Sequence, residues 1–270
     1  MKPKPIFTTQ IESLPVEIHS SNTLLGQAAA HDAAQILGET LQQRGRANVI
    51  LATGNSQLTF LEALRAAPDI DWSQVQVFHM DEYLNLDPEH PASFPRFLRR
   101  HFLDHLKPPA GAFYPVPARN PQPEWACRDY EHLLRANPAD LCALGYGENG
   151  HLAFNDPPYA DFDDPVWVKI VQLDQASRRQ QVGEGHFPNL DAVPTHAITL
   201  TIPALLAARK VLAIVPEARK APAVQRALCG PVDVSCPGSI LRRMPHAHLY
   251  LDRDSAALAF PHTAGAGAGS

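Results

Sequence analysis

Strand, turn and helix signals alternate along the whole of this chain, and that alternation limits its fold more than any other feature. "NVIL" runs into "ATGNSQ" and then the helical pattern "LTFLEALRAA". "VQVF" runs into "HMDEY", with "SFPRFLRRHFLDHL" beyond it. "DLCAL" delivers "GYGENGH", and "VLAIV" delivers "PEARK" before the helical "APAVQRALCG". "TLLGQAAAHDAAQILGETLQQRG" has helix-period apolar positions, with Ser21 or Asn22 available as a cap and Gly45 as a stop. "CRDYEHLLRAN" and "IPALLAAR" add helices, and "WVKIVQL" and "HLYLD" add strand-like runs. Short apolar strands separated by helices predict an α/β protein with a mostly parallel sheet and helices on both faces. The expectation is therefore three layers, Rossmann-like in type, with ligands held at the carboxyl ends of the strands.

At 270 residues the chain is long enough to bury a core without staples. No internal repeat or linker breaks it, so residues 1–260 are expected to form a single α/β domain. The small-residue ending "PHTAGAGAGS" predicts a flexible tail over 261–270. A net charge of -5 without a basic stripe argues against a nucleic-acid partner. No apolar run reaches membrane-spanning length and no secretory leader pattern opens the chain, so a cytoplasmic location is expected. The four cysteines have no C-x-x-C spacing and are expected to be reduced thiols. His101 and His105 have i,i+4 spacing, but no acid follows the first histidine as a zinc-protease helix requires. No metal site is expected.

Four loops carry the candidate chemistry. Thr53, Gly54, Asn55 and Ser56 precede a helix, where backbone donors and hydroxyls suit an anion, although a plain capped turn has the same composition. The loop lacks a P-loop lysine and a dinucleotide glycine pattern, which disfavours a nucleotide. Asp81 and Glu82 sit at a strand end; on extended backbone they point to opposite sides, so one faces the cleft and could move a proton on carbon. In "GYGENGHLAFNDP", His151 has Asn149 two residues before it and Asp156 five after, an acid/base unit with candidate orienters or a histidine that merely satisfies a loop. Asn149 can orient an imidazole but cannot support its positive charge as a carboxylate would. Lys220 opens a helix, where a cation is unfavourable by about 0.3–1 kcal/mol unless it faces an anion.

Taken in order, these segments resemble the glucosamine-6-phosphate deaminase/isomerase family, from about Leu51 to Asp252. "LATGNSQLTFLEAL" is similar to its phosphate-loop segment, "FHMDEYLNLDPEHPASF" to its FNMDEY motif, "GENGHLAFNDP" to its G-H-I-A-F-N-E-P motif, and "ARKAPAVQRALCGPV" to its lysine-bearing helix start. The related 6-phosphogluconolactonases share the G-H loop but use D-E-R; Tyr83 and "LAFNDP" side with the deaminases.

The resemblance implies that glucosamine 6-phosphate and water become fructose 6-phosphate and ammonia. Asp81 would move a proton between C2 and C1, and His151 would assist ring opening. Asn149 and Asp156 would orient the histidine, while Thr53, Gly54, Asn55, Ser56 and Lys220 would hold the phosphate. No metal or organic cofactor is implied. Three departures stand out: Asn149 replaces a common Asp, Asp156 replaces Glu, and Gln181 occupies the place of a phosphate arginine. Arg178 and Arg179 lie just before it, and Arg179 is the expected replacement. Trp167 stands where allosteric members carry a base, so a monomer or homodimer without such activation is expected. A 6-phosphogluconolactonase and a non-catalytic sugar-phosphate sensor are the alternatives.

Overall fold

The computed structural model describes residues 1–173, 175–183 and 185–263. In chain order the elements are β1 (Phe7–Ile11), β2 (Leu14–His19), α1 (Asn22–Arg44), β3 (Ala47–Leu51), α2 (Leu58–Arg65), β4 (Val75–His79) and β5 (Asp81–Tyr83). Then come α3 (Phe94–His101), β6 (Ala112–Tyr114), α4 (Pro123–Ala136), β7 (Leu141–Leu144), β8 (Val168–Gln172) and α5 (Gln175–Gly183). The chain ends with β9 (His196–Leu200), α6 (Ile202–Leu206), β10 (Lys210–Val215), α7 (Ala221–Cys229), β11 (Ala247–Asp252) and α8 (Arg253–Ala256). The predicted first helix is α1 in full: Ser21 Oγ accepts from Leu24 N at its start, and Gly45 takes the left-handed conformation (φ 70°) at its end.

Eight strands form the main sheet in the order β1-β2-β11-β10-β7-β3-β4-β6. All its pairings are parallel except β1 with β2. Alternate residues feed two cores. Ile50, Cys142 and Ala213 turn into one, and Val49, Leu51, Leu141, Ala143 and Ile214 into the other. That two-sided burial explains why these strands read as unbroken apolar runs. Going outward from β3, the chain runs one way to β4 and β6 and the other way to β7, β10 and β11. This reversal opens a crevice at the strand ends.

Two features depart from the simple alternation. A second, antiparallel sheet of order β5-β9-β8 rises beside the strand ends and carries a small core of its own, including Tyr83, Phe154, Phe187 and Ala197. Its strands have few residues and join through side-chain packing far apart in sequence, so local periodicity does not reveal their pairing. The second lies at the start of the expected tail. Pro261–Thr263 form an ordered 3-10 turn in which the buried Thr263 Oγ1 donates to Phe260 O; the expectation for 264–270 falls outside the described residues.

Candidate active site

The strand ends of β3, β4, β7 and β10 open on one cleft. Its lining includes Thr53, Gly54, Asn55 and Ser56, then Asp81, His151 and Lys220. Four loops scattered over the sequence therefore meet, as the sheet order dictates. A 3-10 turn at Asn55–Gln57 leads from β3 to α2, and Gln57 Nε2 donates to Ile214 O at 3.1 Å, fixing it to the end of β10. Gly54 needs its glycine, with φ at 103°. Lys220, buried beside the cleft, closes the 3-10 turn Ala218–Lys220 immediately before α7.

The wall at β4 and β5 is acidic and dry. Asp81 pairs in register with Thr199 of β9 and presents its carboxylate to the cleft. Glu82 turns the other way, as extended backbone requires. It accepts from Tyr83 N (2.8 Å), Ser93 Oγ (3.0 Å) and Phe94 N (3.0 Å), thereby capping α3. Burial pushes the Asp81 carboxyl up to about 8, and the Glu82 charge adds to the rise. Burial also raises Glu82, to about 7, against the pull of its three donors. Both carboxyls are raised by the same burial, leaving the cleft with a carboxylate more basic than an exposed one. Behind Asp81 lies His79, fully buried, which burial lowers to about 3.

The histidine wall is built differently. His151 Nδ1 lies 2.9 Å from Asp156 Oδ1, within ion-pair distance although without full hydrogen-bond alignment. Asn149 Nδ2 donates to the same carboxylate oxygen at 2.7 Å, and Asn149 Oδ1 accepts from His151 N at 2.9 Å. The missing carboxylate is thus present: Asp156 faces the ring, and Asn149 holds Asp156 and the turn. The ring rests on Gly147, where a Cβ would fall about 2.1 Å from His151 Cε1, so no other residue fits. With Nδ1 directed to Asp156, Nε2 is the atom left to exchange protons in the cleft. Ala153 (φ 51°) and Glu217 (φ 83°) hold left-handed backbone next to these walls, a cost of roughly 1–3 kcal/mol each that concentrates at functional sites.

The residues near the expected phosphate arginine divide between cleft and solvent. Arg179 is exposed, donates to Gln175 Oε1 at 3.0 Å, and does not line the cleft. Arg178 and Gln181 do line it. They are three residues apart on α5 and share a face, a signal available from helical spacing alone. Arg178 Nη2 also donates to Leu190 O (2.6 Å) and Val193 O (2.9 Å). Phe94 and Arg219, which lie within the matched motifs but were given no role in the sequence, line the cleft too, as does His186. Arg219 Nε meets Glu217 Oε2 at 2.6 Å, and its Nη1 lies 3.4 Å from Glu148 Oε1.

Away from the cleft, Glu17, Asp32 and His248 cluster closely enough to suit a cation. Lys2 Nζ already sits 2.6 Å from both carboxylates, supplying the positive charge from the chain itself.

The family model of glucosamine-6-phosphate isomerases/6-phosphogluconolactonase matches residues 20–250. The chain belongs to this family. Within it, the glucosamine-6-phosphate deaminase of Bacillus cereus (strain G9842) is 34% identical over 224 residues, covering 83% of this chain and 82% of that protein. The glucosamine-6-phosphate deaminase of Bacillus anthracis (strain A0248) is 33% identical over the same shares. Among solved structures, a monomeric glucosamine-6-phosphate deaminase superposes with a TM-score of 0.80 at 26% identity, covering 90% of this chain and 99% of that one. The 6-phosphogluconolactonase of Thermotoga maritima gives 0.70 at 20% identity over 88% and 98%, a likeness of fold.

Proposed function

We propose that this chain is a glucosamine-6-phosphate deaminase, acting on the open-chain sugar. His151, backed by Asp156, passes a proton between the anomeric hydroxyl and the ring oxygen to open the ring. Asp81 removes the C2 proton and returns it at C1, turning the aldose into a ketose imine. Water then hydrolyses the imine to fructose 6-phosphate and ammonia. Thr53, Gly54, Asn55, Ser56 and Lys220 hold the phosphate, with Arg178 in place of Arg179.

The observation that carries this reading is a buried carboxylate raised to about 8 that shares one cleft with the His151–Asp156 pair and a cationic anchor. Proton transfer from carbon needs such a base, because basicity rises with pKa. Asp156 and Asn149 together would do the work expected of a single acidic partner, which supports a working site over a non-catalytic sensor. The likeness to a monomeric deaminase supports a monomer, with a small sugar phosphate as the partner. Among the described residues no helix is long and apolar enough to cross a membrane.

Ammonia release from glucosamine 6-phosphate tests the reading, with Asp81→Asn as control. Equal release by both proteins would overturn it. The 6-phosphogluconolactonase reading has one observation in its favour, a carboxylate-backed histidine that can activate water. It leaves Asp81 without a task; lactone hydrolysis that survives Asp81→Asn but not His151→Ala would establish it.

A further inference from the structure

His79 is the least satisfied polar side chain near the cleft. Its imidazole is wholly buried at the end of β4, and among the described residues neither ring nitrogen has a hydrogen-bond partner. A buried polar group left unpaired costs about 1–3 kcal/mol, so a retained one calls for an explanation. The backbone around it is held firmly. The Tyr130 hydroxyl accepts from His79 N at 3.1 Å and donates to His79 O at 2.8 Å, and the ring stands edge-on to Phe94. The imidazole is thus aimed rather than loose. Its Nε2 faces Asp81 Oδ1 at 3.9 Å. Asp81 in turn accepts no side-chain hydrogen bond among the described residues, so two unsatisfied groups face each other across a gap slightly too wide for contact.

We propose that His79 is the positioning residue of Asp81: its Nε2–H closes on the carboxylate, directly or through one water, when Asp81 ionises. The deeper chemistry follows from the neutral state that burial imposes on the ring. A neutral imidazole donates a hydrogen bond without adding charge. It therefore favours the ionised base while exchanging no net proton itself: Asp81 takes the C2 proton and gives it back at C1. Burial and Glu82 push Asp81 up, and a donor at His79 opposes them. The other titratable groups turned to this part of the cleft are Glu82 on the same strand, His151 after β7, Lys220 and Arg219 after β10, and Arg178 and His186 from α5 and its exit.

The proposal rests on Asp81 being the working base, so its test has one arm with substrate and one without. His79→Phe keeps the bulk and removes the donor; His79→Gln keeps a donor near the position of Nε2. With glucosamine 6-phosphate, the acid limb of kcat/KM is expected about one pH unit higher in His79→Phe and near the wild-type position in His79→Gln. Without substrate, the Asp81 titration is read from urea unfolding against pH, as the difference from Asp81→Asn within each background; it should move in the same direction. A limb and titration that stay in place in His79→Phe, or that move alike in both variants, overturn the proposal. Should His79→Phe fail to fold, His79→Gln alone decides: a shift of a full unit there is the contrary result. Absence of ammonia release with a shifted unfolding titration would sink the deaminase reading while sustaining the His79–Asp81 contact.

Discussion

The two walls of the cleft solve the same problem in opposite ways. At His151 the polar groups complete one another: ring to Asp156, Asp156 to Asn149, Asn149 back to the histidine backbone. At Asp81 they do not: among the described residues the buried carboxylate has no side-chain donor, and it lies beside a second carboxylate and an imidazole without partners. A closed network fixes geometry, whereas an open, desolvated one stores basicity. The comparison teaches that orientation and proton affinity are supplied by different walls, and each can be broken separately.

The largest effect is expected from Asp81→Asn. Loss of the base should lower kcat by about 10²–10⁴-fold with little change in KM. The same variant should be the more stable protein at high pH. An acid whose folded value lies above its unfolded one favours the protonated form, so stability falls as pH rises from about 4 towards 8. Urea unfolding at pH 8 is expected to favour Asp81→Asn by on the order of 1–3 kcal/mol, with the gap closing near pH 4. An enzyme that lost activity and stability together would erase the contrast between the walls.

Breaking the closed wall comes next. Asp156→Asn removes the charge beside the imidazole and should reduce kcat by about 10–10³-fold, and stability should fall, because Asn149 loses its charged acceptor. Lys220→Ala follows, with KM for the sugar phosphate expected to rise about tenfold or more while kcat changes less. Arg178→Ala should raise KM by a smaller factor, and Arg179→Ala should leave both constants within about twofold, since that side chain points to solvent. Steady-state kinetics on the pair decides which arginine serves the phosphate.

Much of this was legible in the sequence, because the parallel strands are buried on both faces and announce themselves as short apolar runs. Strand-end position alone located Asp81, His151, Lys220 and the Thr53–Ser56 turn. Extended backbone geometry foretold that Asp81 and Glu82 would part company. The antiparallel sheet was not legible: Asp81–Tyr83 is only three residues long and acquires strand character from its pairing with β9. Asp156, five residues after His151, was a candidate orienter in the sequence, and a turn through Ala153 brings it within 2.9 Å of the ring. What the sequence did not show is the division of labour, in which Asp156 faces the ring while Asn149 holds Asp156 and the His151 backbone. Helical phase was the signal left unused at the phosphate arginine: three-residue spacing puts Arg178 on the face of Gln181, while Arg179 falls on the exposed face. His79 stands where the FNMDEY motif has Asn, a departure that drew no attention in the sequence, and burial without partners among the described residues is what marks it.

The central claim is that Asp81 carries a proton from C2 to C1 before ammonia leaves. Turnover of glucosamine 6-phosphate deuterated at C2 tests it in one experiment. The expected result is a slowed reaction, ammonia in step with fructose 6-phosphate, and part of the deuterium found at C1, since the base is shielded from water. No ammonia, or ammonia formed without breaking the C2–deuterium bond, would contradict it.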